Sequence, residues 1–202
     1  MYHGVYEGAA AAAQEKKILI LGESHHDLDS SITTQKVVED YLSPENTTKQ
    51  SLQFFHKIAL AFGVDTEKAE EKARLWDKVF FGNYINKSLD GPSGEGEDTA
   101  PKLIRKNKGC YNRELAKYIR EHEIDVVFCF SFRVFDVLPP APAACEDVFI
   151  PVKSRRRNVW CGRAYGPDSL FGRSIEIYGI PHPNSWRGFG AKDIIKYLKD
   201  HF

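Results

Sequence analysis

The chain has 202 residues and 23.0 kDa, with 42% hydrophobic and 28% charged residues, ordinary proportions for one globular domain with a proper core. Lys plus Arg number 28 and Asp plus Glu number 28. The basic surplus that phosphate contacts demand of a nucleic-acid protein is therefore missing, which argues against tight duplex binding by bulk charge but leaves room for a local basic face.

In chain order, residues 1–16 read as an arm and 17–202 as a single domain. The arm lacks a basic region followed by an apolar core, and its run of alanines, Ala9 to Ala13, is too short for a signal. No apolar run approaches the roughly 20 residues that cross a bilayer. A cytoplasmic protein with no membrane contact is expected, and a monomer.

Lys17 to Leu21, apolar from Ile18 onward, form a short run ended by Gly22, the pattern of a buried strand. Val37, Val38, Tyr41 and Leu42 recur at helical spacing. A capping box, Thr47 to Gln50, opens a second helix with Leu52, Phe55, Ala59 and Phe62 on one face, closed by Gly63. Asp65 or Thr66 starts a third helix through Leu75. Val79-Phe80-Phe81 is a second strand, again followed by glycine, and DGPSGEGEDTAP (90–101) is a loop.

Tyr111, Leu115, Tyr118 and Ile119 mark an amphipathic helix leading into the strand DVVFCF, 125–130. After the turn at 139–144 a strand is expected near Val148 to Val152. SIEIYGI, 174–180, is the fourth good strand. Ile194, Ile195 and Leu198 face inward from a closing helix. Strands alternating with helices, most of them continuous apolar runs, predict a three-layer α/β/α domain with a central, mainly parallel sheet of about four or five strands.

The cysteines, Cys110, Cys129, Cys145 and Cys161, include no CxxC pair. They fit reduced thiols, Cys129 in the core, and argue against a zinc or iron–sulfur centre. The one basic cluster, Lys153 to Arg157, reads as a solvated loop.

Polar residues gather after each predicted strand: Gly22-Glu23-Ser24-His25-His26, then Gly82-Asn83-Tyr84, then Ser131-Phe132-Arg133, then Pro181-His182-Pro183-Asn184-Ser185-Trp186. In a parallel sheet these ends share one edge, where ligands bind. Carboxylate, hydroxyl, amide and imidazole groups are therefore expected around one cleft.

In that order the segments resemble the uracil-DNA glycosylase superfamily: GESHH after the first strand, an Asn after the second, DVVFCFS running into a helix, and HPNSW before a final helix. The resemblance implies that fold and hydrolysis of the N-glycosidic bond of a flipped, deaminated base in DNA, without metal or other cofactor. It puts Ser24 at the position that in several branches directs the attacking water, a task that falls to Glu23 here because Ser24 is no carboxylate, and it gives His182 to the charge gathering on the departing base. Asn83 would read the base edge, since an amide offers both a donor and an acceptor. Gly22, Ser24 and His25 would line the pocket, and Trp186 with Arg187 would engage the DNA. The sequence departs from the family at Ser24, which is no carboxylate, and at His25 and His26, which replace the Pro and the Gly or Tyr of the first motif; Asp27 or Asp29 could then reach in. No Phe just after the first motif offers itself as a stacking partner.

Plainer roles stand beside these: Glu23 as a turn carboxylate, His25 and His26 as loop residues, Asn83 satisfying loop backbone, Trp186 as a core or lid aromatic. ILILGESHHD also resembles the GExHH signature of the erythromycin-esterase and ChaN-like group, in which Glu23, His25, His26 and Asp27 could hold a cation or perform acid–base work. A third possibility is a non-catalytic nucleobase-binding or nucleic-acid-binding member of the glycosylase fold.

Overall fold

The computed structural model describes residues 4–25, 32–44, 52–89, 99–141 and 162–183. Its strands are β1 (Tyr6–Glu7), β2 (Ile18–His25), β3 (Phe80–Ser88), β4 (Val126–Cys129), β5 (Gly162–Tyr165) and β6 (Ile175–Gly179). Its helices are α1 (Thr34–Leu42), α2 (Gln53–Ala61), α3 (Ala69–Trp76), α4 (Ala100–Glu121) and α5 (Phe132–Val137). No described helix is long and apolar enough to cross a membrane.

The six strands form one mixed sheet in the order β1-β3-β2-β4-β6-β5. The four central strands are the four the sequence marks, and they pair in parallel, with Leu19 opposite both Phe80 and Val127, and Val127 opposite Ile177. Both edges are antiparallel. The sheet is thus α/β, broader than expected by its two edge strands.

Alternation along the strands sends side chains to two cores. Leu19, Leu21, Phe80, Val127 and Ile177 pack on one face with α4 and α5 residues such as Leu115, Ile119 and Phe135. Ile20, Phe81, Val126 and Phe128 pack on the other with Val38, Tyr41, Phe55, Ile58 and Trp76 from α1, α2 and α3. Helices therefore cover both faces. That explains the unbroken apolar runs that open β2 and make up β4.

Three expectations are corrected. Gly22 and Gly82 do not end their strands: β2 runs on to His25 and β3 to Ser88. Within the expected arm, the described residues 4–16 are joined to the domain. Tyr6 and Glu7 pair with Phe81 and Phe80, Ala11 is fully buried, and Gly8 lies so close to the carbonyl of Trp76 that no Cβ could fit.

The third helix starts later than its sequence suggests, at Ala69. Asp65 is tied into a turn instead, its N–H donating to the Glu71 carboxylate at 3.0 Å and its own carboxylate accepting from the Glu67 N–H at 3.2 Å. β5 was not expected because Gly-Arg-Ala-Tyr carries no apolar run; it is held by backbone pairing to β6. Gly63 does close α2, at φ +76°. The capping box, the loop over 90–98, the strand near Val148, the basic cluster and the closing helix lie outside the described residues.

Candidate functional site

The parallel strands run outward from the middle of the sheet. β2 leads to β3 on one side, and β4 and β6 lie on the other. The chain changes direction between β2 and β4, and the carboxyl ends of strands at such a switch point are where α/β sheets open a crevice. Gly22, Glu23, Phe130 and Ser131 stand there, drawn together by a hydrogen bond from the Phe130 N–H to the Leu21 carbonyl at 2.8 Å.

On the α2 face, Gly22 lies opposite Asn83 in the β2–β3 register. A Cβ on Gly22 would collide with Asn83 Oδ1 and lie 3.5 Å from Phe54 Cζ. The amide of Asn83 therefore occupies the space a side chain at position 22 would fill, and the edge of the Phe54 ring borders the same spot. Among the described residues the Asn83 side chain makes no hydrogen bond. Beyond β6, the His182 imidazole is 5.3 Å from the Phe54 ring, centroid to centroid, with the planes tilted by 40°. Lys57 of α2 donates to the Pro183 carbonyl at 3.3 Å, tying the helix to the same loop. Phe54, Asn83 and His182 are all half-buried.

On the other face, Glu23 is buried. The Ser131 hydroxyl donates to its carboxylate at 2.6 Å, and the Arg133 guanidinium lies 3.3 Å from the second oxygen. Ser131 caps α5, its hydroxyl also accepting from the Val134 N–H at 3.4 Å. An ionised carboxylate has about four lone-pair sites, so these two partners leave acceptor capacity for water. Cys129, fully buried beneath, has its thiol pushed up to about 12 by desolvation, consistent with a core role.

The structure thus brings Gly22, Asn83 and His182 together around Phe54 and sets Glu23 on the opposite face of the same edge, engaged by Ser131 and Arg133. Ser24 is half-buried opposite Ile85, and His25 ends β2 after a bulge. His26, Asp27, Asp29, Trp186 and Arg187 lie outside the described residues. A hollow of about 450 Å³ opens on the far side of the sheet, between β3 and α4, walled by Leu21, Tyr84, Tyr111 and Tyr118 and bordered by Asn83. Among the described residues no three His, Cys, Asp or Glu side chains are arranged to hold a metal ion.

Phe54 is the residue that sequence reasoning missed. Its signal is the Phe54-Phe55 doublet: Phe55 is buried on the inward stripe of α2, and Phe54, half-buried, packs at the margin of the same core toward the strand ends. Ser131 and Arg133 are visible as polar residues after a strand, but nothing in the sequence joins them to Glu23.

Fold and site together define an α/β protein with polar and aromatic side chains gathered at the switch point of its sheet. No family model matches the chain. Alpha-soluble NSF attachment protein from Dictyostelium discoideum is 34% identical over 78 residues, 39% of this chain and 26% of that protein. The chain thus matches about a quarter of that relative's length, a partial likeness that assigns no family.

Proposed function

We propose that the chain is a uracil-DNA glycosylase-like protein that holds a flipped, deaminated base at the carboxyl edge of its sheet and hydrolyses its N-glycosidic bond. The observation that carries this reading is the position of the Asn83 amide, pressed into the space Gly22 leaves open beside the Phe54 ring and the His182 imidazole. An amide to read a base edge, an aromatic face to stack on, and an imidazole to meet charge are the groups a pyrimidine pocket needs. The parallel strand order, with the second beside the first and the third and fourth on its other side, agrees with the resemblance carried by GESHH, Asn83 and HPNSW.

In the reaction, a water oxygen bonds to C1′ of the deoxyribose as the C1′–N bond breaks and its electron pair leaves on the base. Asn83 donates to and accepts from the base edge. His182 stabilises the developing anion, and a preorganised donor of this kind contributes about 100-fold or more in rate. Glu23, held by Ser131 and Arg133 on the opposite face of the same sheet edge, would direct the water from the rim where the two faces meet. Trp186 and Arg187 engage the DNA strand.

A second reading, base binding without excision, draws on the same carboxylate, because Glu23 is already engaged by two partners. Release of base from uracil-containing single-stranded and mismatched DNA separates the two. Product from the wild type, lost in both Glu23→Gln and His182→Ala, supports the glycosylase. Binding without product, weakened by Asn83→Ala, supports the binding module. Chelator-sensitive ester or peptide hydrolysis overturns both in favour of a GExHH hydrolase.

A further inference from the structure

A second polar hollow lies across α2 from Phe54, and its reading does not rest on base binding. It occupies about 190 Å³ between α1, α2 and α3 and is lined by Tyr41, Gln53, His56, Thr66, Glu67 and Lys72 among others. Two of these are buried polar residues whose ionic or hydrogen-bonding needs are unmet. Lys72 is only 4% exposed. Its ammonium sits 5.3 Å from the centre of the Tyr41 ring, and no carboxylate among the described residues lies within ion-pair distance. Tyr41 is likewise 4% exposed, and its hydroxyl has no hydrogen-bond partner among the described residues. The neighbouring carboxylate of Glu71 is engaged by Lys68, at 3.0 Å.

Buried charge without a counter-ion and a buried hydroxyl without a partner are both unfavourable, and a single oxyanion answers both. A lysine suits phosphate as a point charge, and hydroxyl, amide and imidazole groups add donors around it. The hollow is smaller than the roughly 300 Å³ at which drug-sized sites begin; it admits a phosphate group and excludes a nucleoside.

We propose that this hollow is a phosphate site, in which the Lys72 ammonium and the Tyr41 hydroxyl hold one phosphate group, with Gln53, His56 and Thr66 as further donors. Glu67, exposed at the lining, is the group that opposes it. The test is calorimetric titration of the full chain with inorganic phosphate, at ionic strength held constant with chloride.

The wild type should bind saturably, Lys72→Met about tenfold or more weaker, Tyr41→Phe about threefold weaker, and Glu67→Gln about threefold tighter. No saturable binding by the wild type up to about 10 mM phosphate, or wild-type affinity in Lys72→Met, overturns the proposal. Should Lys72→Met not fold, the opposite shifts of Tyr41→Phe and Glu67→Gln decide it, and unchanged affinity in both overturns it. Competition by a 5′-phosphorylated oligonucleotide but not its 5′-hydroxyl counterpart assigns the phosphate to a nucleic-acid end. Competition by neither assigns the site to a small free phosphate.

Discussion

The two faces of β2 at its carboxyl end differ in how their polar groups are settled. On the α5 face the buried Glu23 carboxylate is held by Ser131 and Arg133. On the α2 face the Asn83 amide sits in the cradle of Gly22 with no hydrogen bond among the described residues, beside Phe54 and His182. Asn83 is only half-buried, so its amide is open to a partner from outside the chain, whereas the other face fixes one buried carboxylate in place at the same edge.

The strongest way to break that contrast is Gly22→Ala. The new methyl must displace the Asn83 amide, which is the end of a side chain and can move, so the chain should still fold, with stability changed by no more than about 1 kcal/mol. Binding of a uracil-containing oligonucleotide should fall by about tenfold, because the displaced amide loses its hydrogen bonds to the base edge. Equal loss of stability and of binding would show that the two faces are alike. Asn83→Ala should match it in binding, by fluorescence anisotropy, and leave the thermal midpoint nearly unchanged.

Phe54→Ala comes next. It removes a stacking surface worth about 1–3 kcal/mol per base, and the loss should appear in oligonucleotide affinity rather than in the pH profile of base release. Ser131→Ala belongs to the other face. It removes both the cap of α5 and the hydrogen bond to Glu23, so stability to urea should fall by about 1–3 kcal/mol, and base affinity should change little. The smallest effect is expected from Arg133→Ala. Its side chain is 59% exposed, and pairs of that kind contribute about 0–1 kcal/mol. A larger loss would mean that the guanidinium does more than neutralise Glu23.

Much of the layer structure was legible in the chain itself. Ile18–Leu21, Phe80–Phe81 and Val126–Cys129 are apolar without a break, which a strand covered on both faces asks for, while β6 alternates, with Glu176 between Ile175 and Ile177. The edge strands were not legible. Tyr6–Glu7 and Gly162–Tyr165 are fixed by backbone hydrogen bonds to a neighbour, which any residue with an N–H and a carbonyl can make. The ends of β2 and β3 were misread for a related reason. Glycine after an apolar run commonly marks a turn, but here Gly22 is required inside the strand because another side chain uses its space.

The sequence by itself determined that a covered, largely parallel sheet exists and that amide, carboxylate and imidazole groups follow its strands, because burial is written into local composition. Tertiary structure alone decided which of them meet. The register set Asn83 against Gly22, the packing of α2 added Phe54, and the fold joined Ser131 to Glu23 across 108 positions of chain. Contacts between strand ends depend on register and crossover, and neither leaves a mark on any single stretch of residues.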